Sequence, residues 1–164
     1  MGLFSDITQL AKSRTTYDVG LLQARGYRTL KQLTAQVLQS DGLTTIEWAM
    51  LGVLSHHPKG IRSSEVADTL GVQPPLVSRL IAKSEASNWI LVAQGEDKRE
   101  KVLRLSEKGK EGVVRIEKGL RKSVAPLLKG VGARDLLGYL RVLHTISENG
   151  KNLPHVSFEE YLPD

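Results

Sequence analysis

Residues 63–105 have the sequence SSEVADTLGVQPPLVSRLIAKSEASNWILVAQGEDKREKVLRL. This stretch predicts a helix, a turn, a second helix and two apolar strands around a charged tip, at 64–70, 71–73, 74–83, 89–93 and 102–105, with the tip at 95–101. Two helices across a tight turn, followed by a hairpin with a basic tip, are the element order of a winged helix-turn-helix.

Local signals support these boundaries. Ser63 or Ser64 can cap the first helix, and Gly71 can end it because glycine tolerates the left-handed conformation. Pro74 suits the first turn of the second helix, where a missing N–H group costs nothing. The helical repeat directs Val77, Leu80 and Ile81 inward. It leaves toward solvent Pro74, Leu76, Ser78, Arg79 and Lys83.

The outer face of the second helix suits a polyanion. No acidic residue lies between Val72 and Ser84, so no carboxylate on this helix would repel phosphate. A helix that presents Ser, Arg and Lys outward can enter a DNA major groove. The alternative is an ordinary amphipathic helix with a solvated outer face, but the hairpin that follows favours nucleic acid.

Composition and charge narrow the class of protein further. The 164 residues suit one soluble domain, and the lack of cysteine excludes disulfides and thiolate metal sites and is compatible with the cytoplasm. No apolar run approaches the roughly 20 residues of a membrane span, and the N-terminus lacks a signal-peptide pattern. Residues 59–122 hold 14 basic and 9 acidic residues, whereas the two flanks are nearly neutral. The excess of positive charge therefore coincides with the predicted winged helix.

The flanking segments predict further helices. Residues 15–39 are predicted to form one long helix with an apolar stripe at Tyr27, Leu30, Leu33 or Thr34, and Val37. Thr44 and Glu47 suit a capping box for the next helix, 46–56. Residues 60–62 suit a short strand that pairs with the hairpin.

Two helices are predicted after the hairpin. The first runs from Ser106 to about Leu128 with a heptad-like seam at Val113, Ile116, Leu120, Val124 and Leu127. That seam fits either core packing or a subunit interface. The second runs from Ala133 to about Glu148 and directs inward Leu136, Leu137, Leu140, Leu143 and Ile146. Residues 149–164 are predicted to be an extended tail, which either packs Phe158 and Tyr161 on a partner or stays mobile.

The sequence offers no basis for an enzyme. It contains no Gly-rich phosphate loop and no Ser/His/Asp constellation, and its four histidines are not spaced as metal ligands. We therefore expect no catalytic residues, no metal and no cofactor.

With these features the chain resembles the MarR family of bacterial winged-helix regulators, over about Leu43–Gly109. The most specific part is the wing motif Asp97-Lys98-Arg99, followed by an apolar strand and then Leu105-Ser-x-x-Gly109. Two positions depart from the usual pattern, Ser84 in place of Leu and Asn88 in place of Gly. Asn88 preserves the turn because asparagine tolerates positive φ, whereas Ser84 bears on the packing at the end of the second helix.

The resemblance implies a mainly α fold with a small β-wing, in which residues 43–109 form the winged helix. Segments 10–40 and 110–164 would then supply the helices of a homodimer and a tail. It also implies a recognition helix in the major groove and Arg99 in the minor groove, oriented by Asp97. The predicted DNA contacts are Arg62, Ser63, Ser64, Gln73, Pro74, Leu76, Ser78, Arg79, Lys83, Asp97, Lys98, Arg99 and Lys101. The predicted dimer contacts are Leu30, Leu33, Val37, Leu136, Leu140, Leu143, Phe158 and Tyr161.

These expectations describe a cytoplasmic transcriptional regulator, of the repressor type, that binds double-stranded DNA at a pseudo-palindromic operator. A small anionic aromatic or acyl ligand would release it, held near Tyr27, Trp48 and His57 at the junction of the dimer helices and the winged helix. The alternative is a winged helix that binds another protein and has no DNA target, a use that the apolar Leu76 would favour.

Overall fold

The structure, a computed structural model, describes residues 16–95 and 100–150. Its α-helices and strands follow one another in the order α1 Thr16–Leu38, α2 Thr45–Ser55, β1 Ile61–Arg62, α3 Ser63–Leu70, α4 Pro74–Ala86, β2 Ile90–Gln94, β3 Lys101–Leu105, α5 Glu107–Val124 and α6 Ala133–Gly150. Short 3₁₀ turns follow α1 and α5. The predicted mainly α fold with a small wing is confirmed. In the described part of the chain, no helix is long and apolar enough to cross a membrane.

The capping box predicted at the start of α2 is present. The Thr44 hydroxyl accepts a hydrogen bond from the Glu47 N–H, and the Glu47 carboxylate accepts one from the Thr44 N–H at 2.7 Å. These bonds satisfy backbone donors that a helix N-terminus otherwise leaves unpaired. The start of α2 is therefore fixed by the sequence immediately around it.

The helix-turn-helix is formed by α3 and α4. Gly71 ends α3 with φ of +64°, as predicted. The serine cap predicted for α3 is wrong, because the extended residue Arg62 precedes the first turn and its N–H donates to the Glu65 carboxylate at 3.1 Å. Ser63 and Ser64 instead form the first residues of the helix.

The three strands form one antiparallel sheet in the order β1-β3-β2. Ile61 lies opposite Leu103 on one side of β3, and Val92 lies opposite Leu103 on the other. The turn before β2 contains Asn88 with φ of +58°, as expected from the sequence. The Ser106 hydroxyl donates to the Asn88 carbonyl and accepts from the N–H of Gly109, so it joins this turn to the start of α5.

One apolar core unites the helices and the sheet of the winged helix. It includes Leu51, Val66, Ile81 and Leu103, together with Ile116 from α5. Leu120 is also buried in this core, and Val113 packs against it, so this part of the α5 seam serves core packing within the chain. The subunit-interface interpretation is wrong for Ile116 and Leu120, because both are buried within the chain. Val113 is half-buried, so both interpretations stay open for it.

The chain divides into two compact units between Ala125 and Pro126. Within the second unit, α6 contains no buried residue. The prediction that its leucines point inward is wrong for the single chain: Leu136, Leu137, Leu140 and Ile146 are exposed, and Leu143 is half-buried. A single helix cannot bury an apolar stripe unless another element lies against it.

Candidate nucleic-acid interface

The N-terminal ends of α3 and α4 meet at a small cleft of about 150 Å³. Among the described residues, its lining consists of Ser63, Ser64, Pro74, Val77 and Ser78. The structure thus brings together four of the predicted DNA contacts. Three of them are serines, whose hydroxyls can donate hydrogen bonds to phosphate oxygens. Gln73 and Arg79 are exposed beside them. The first turn of α4 carries no acidic residue, whereas the first turn of α3 carries Glu65, whose carboxylate is paired with Arg62.

Leu76 does not lie on this exposed face as expected. It is half-buried and packs against the apolar core, alongside Val72. The helical repeat places it at the margin of the stripe formed by Val77 and Leu80, where the core reaches slightly further around α4 than the sequence indicated. Part of its side chain is therefore already used in folding.

Lys83 also differs from its expected role. Its stem is 54% exposed, but its ammonium lies 2.8 and 3.0 Å from the two carboxylate oxygens of Glu47. Burial raises the pKa of Glu47, but hydrogen bonds from Lys83 and Thr44 outweigh this effect and hold the pKa below its usual value. The residue predicted to contact DNA is thus bound to a carboxylate of the same chain.

Arg62 is engaged by two carboxylates. Its guanidinium lies 3.2 Å from Glu65 of α3 and 3.5 Å from Glu100, which precedes β3. The hydrogen bond from Arg62 lowers the pKa of Glu65. Because all three side chains are substantially exposed, the pairs are screened by water and can be exchanged for a phosphate at low cost.

The wing is built from β2 and β3. Lys101 is exposed at the start of β3, where it pairs with Gln94. Asp97, Lys98 and Arg99, the predicted tip contacts, lie outside the described residues. The role of Arg99 in the minor groove therefore stays a prediction.

The three residues predicted to hold a ligand differ in exposure. Tyr27 is exposed on α1, with the Lys31 ammonium 5.8 Å from its ring centroid. Trp48 is half-buried in α2, and His57 is exposed just after α2, with Nδ1 2.9 Å from the Val53 carbonyl oxygen.

A larger cleft, of about 400 Å³, lies along α5. Its lining combines apolar and charged side chains from Val113, Val114, Glu117, Lys118 and Arg121. None of the three predicted ligand residues is among them. Sequence reasoning missed this surface because it assigned α5 to packing, although the adjacent valines among basic residues were a visible signal.

Some of the predicted dimer residues are partly buried within the single chain, and others are exposed. On α1, Leu30 is exposed, while Leu33 and Val37 are half-buried and Val37 packs against the core. On α6, Leu136 and Leu140 are exposed. Phe158 and Tyr161 lie outside the described residues.

Known proteins share parts of this sequence. The model of the MarR family matches residues 41–100, which span α2, the helix-turn-helix and the first part of the wing. Over these residues the chain is similar to the MarR family. The curated relative YwoH of Bacillus subtilis strain 168, an uncharacterized HTH-type transcriptional regulator, is 30% identical over 84 residues. That match covers 51% of this chain and 61% of the relative's length.

Several solved structures share the fold of this chain. AbsC, a MarR-family transcriptional regulator from Streptomyces coelicolor, has a TM-score of 0.73 at 22% identity, over 85% of this chain and 98% of AbsC. CouR from Rhodococcus jostii RHA1, solved with p-coumaroyl-CoA bound, has a TM-score of 0.72 at 17% identity, over 85% and 95% of the two chains. At these identities the likeness concerns the fold.

Proposed function

We propose that this chain is a sequence-specific DNA-binding transcriptional regulator that represses genes by binding a pseudo-palindromic operator as a homodimer. The observation that carries the proposal is the exposed end of α4. There Gln73, Ser78 and Arg79 stand beside the hydroxyl-lined cleft with no acidic neighbour in the first helical turn. Arg can bind a guanine edge and Gln an adenine edge in the major groove, so this end can distinguish base pairs.

The homodimer is supported by the apolar surface of α6. Leu137, Tyr139, Leu140, Val142 and Ile146 are each more than half exposed. Exposed apolar side chains can mark an interaction site, and a second copy of the chain is the partner that a palindromic operator requires. Such a protein would act where chromosomal DNA is, in the cytoplasm.

The DNA-binding proposal is tested by selecting duplexes from a random pool with the full chain. The expected result is an enriched sequence with two inverted half-sites separated by about one helical turn, 10–10.5 base pairs centre to centre. Affinity for the selected duplex should fall steeply with salt, because each neutralised phosphate releases condensed counterions. A flat salt dependence, no enriched sequence, or equal affinity for a half-site and a full site would contradict the proposal.

A protein-binding winged helix without a DNA target is the competing function. It predicts an apolar rather than polar exposed face on the second helix of the motif. Leu76 was the residue that favoured it, and Leu76 packs partly against the core. With that support weakened, the polar and basic end of α4 favours DNA.

We also infer that a small anionic aromatic or acyl compound releases the protein from DNA. The related fold of CouR binds p-coumaroyl-CoA, an aromatic acyl anion, and the present chain has no cysteine for oxidant sensing. The candidate residues remain Tyr27, Trp48 and His57. The test is to titrate the protein–DNA complex separately with aromatic carboxylates, aromatic acyl thioesters, peroxide and zinc. Release by peroxide or zinc, without release by any organic anion, would overturn this assignment.

A further inference from the structure

Glu47 is the one buried carboxylate among the residues that the structure describes. It lies in the first turn of α2 and is 1% exposed. One oxygen accepts hydrogen bonds from the N–H and hydroxyl groups of Thr44, both at 2.7 Å. Both oxygens lie within 3.0 Å of the Lys83 ammonium. The buried charge is thus fully compensated, as a carboxylate in an apolar core requires.

Lys83 brings this ion pair to the far end of the recognition helix. It lies near the C-terminal end of α4, and its partner Glu47 lies 36 residues earlier in the chain. The other buried contacts of α4 include Val77, Leu80 and Ile81, which pack without directional bonds. The pair with Glu47 therefore adds a directional link between α4 and α2.

This ion pair lies far from the end of α4 that would contact bases, so a small change in helix angle at the pair would displace that end considerably. Nine residues separate Lys83 from Pro74, which corresponds to about 14 Å along a helix. A tilt of about 10° at the Lys83 end would move the Pro74 end by about 2 Å. Hydrogen bonds to base edges tolerate displacements of only about 0.5 Å, so such a tilt would lose discrimination.

We propose that Glu47 is a positioning residue for DNA sequence recognition, which holds α4 at its reading angle through Lys83. The inference rests on the proposed function and assigns Lys83 to this link rather than to a DNA contact. Glu47 itself is buried within the winged helix, so its side chain is not available to contact DNA. Contacts that depend on the precise angle of α4 are lost when the pair is broken, whereas phosphate contacts elsewhere persist.

The test compares Glu47→Gln, Lys83→Met and Lys101→Met on the selected operator and on a scrambled duplex of equal length, at several salt concentrations. For Glu47→Gln and Lys83→Met we expect the ratio of specific to non-specific affinity to fall at least tenfold, with scrambled-duplex affinity and salt slope unchanged. Lys101→Met, at an exposed position on the wing, should keep the ratio and reduce the slope by about one per subunit. A purely structural role would lower both affinities together and leave the ratio intact.

The double variant Glu47→Gln/Lys83→Met protects the test against misfolding, because it leaves no unpaired charge in the core. If a single variant fails to fold by circular dichroism, the double variant carries the measurement, and its expected loss equals that of one single variant. A wild-type specificity ratio in Glu47→Gln or in the double variant would overturn the proposal. So would a salt slope in Lys83→Met that falls like that of Lys101→Met. The wild-type protein is measured first. If it prefers no duplex, the proposed function is contradicted. If it prefers the operator and the variants keep that preference, only the role of Glu47 is contradicted.

Discussion

The indole ring of Trp89 lies directly against the backbone of Gly112 in α5, where an added Cβ atom would overlap the ring. Gly109, one turn earlier, lies equally close to the Trp89 carbonyl group. The Lys108 ammonium covers the same indole, 5.0 Å from its centroid. Trp89 thus positions the start of α5 relative to the wing. The helix can approach Trp89 this closely because Gly109 and Gly112 have no side chains.

Gly112→Ala should therefore destabilise the protein. The overlap with Trp89 should cost about 1–3 kcal/mol, from which the better helix propensity of alanine recovers up to about 1 kcal/mol. Gly119→Ala is the matched control in the same helix, because its Cβ would make an ordinary 3.6 Å contact with Val37. Urea unfolding should show a lower stability for the first variant and an equal or higher one for the second. Equal gains in both would show that the ring moves aside freely.

Ser84→Ala should stabilise the protein. The Ser84 hydroxyl is buried, and Oγ has no hydrogen-bond partner. Removal of an unsatisfied hydroxyl and the gain in helix propensity together should add about 1 kcal/mol. Ser78→Ala, at an exposed position of the same helix, measures the propensity part alone. Thermal unfolding without DNA compares the two, and a loss of stability in Ser84→Ala would reveal a bond to an ordered water.

The stabilising effect of Glu47 should disappear in acid. Burial raises the pKa of Glu47, but its hydrogen bonds hold it below the usual value, so the folded pKa lies below the unfolded one. The contribution is then fully present above the unfolded pKa of about 4.3 and is lost as the pH falls through the folded pKa. Urea unfolding of the wild type and Glu47→Gln between pH 7 and pH 3 should show a stability difference that shrinks with falling pH. A constant difference would contradict this account.

The sequence predicted those features that depend on neighbouring residues. The capping box of Thr44 and Glu47, the left-handed Gly71 and the positive φ of Asn88 each follow from one side chain acting on adjacent backbone. The inward face of α4 followed from helical spacing, because a regular helix fixes the relative directions of its side chains. These signals were sufficient for the winged-helix fold.

The sequence did not predict partners that are distant along the chain. Lys83 meets Glu47 and Arg62 meets Glu100 only after folding, so both cations were assigned to DNA without knowledge of these carboxylates. The inward direction assigned to Leu140 failed for a related reason. Periodicity shows that a helix has an apolar face, but it does not show whether that face meets its own chain or another.

Arg79→Ala should relax the preference for one base pair in each half-site. Arg79 is exposed on the recognition helix, where its guanidinium can bind the edge of a guanine. Loss of that contact should reduce discrimination at one position by about 1–3 kcal/mol. Competition binding with single-substituted operators makes the measurement. If the affinity falls equally for every sequence, Arg79 contacts phosphate only.

Leu140→Glu should convert the protein to monomers. Leu140 is 52% exposed on α6, at the centre of the predicted seam with Leu136 and Leu143. A carboxylate buried at the dimer interface would lose its hydration without gaining a partner, so association should weaken by several kcal/mol. Light scattering coupled to size-exclusion chromatography would then give the 18.1 kDa mass of one chain instead of twice that mass.

Thr145→Glu is the control for that variant, because Thr145 is exposed and lies well around the helix from Leu140. It adds the same charge to α6 but should leave the dimer intact. Leu140→Glu should also bind a full operator no better than a half-site, since one subunit forfeits the avidity of two. A dimeric Leu140→Glu, or dissociation of both variants alike, would move the interface away from this seam.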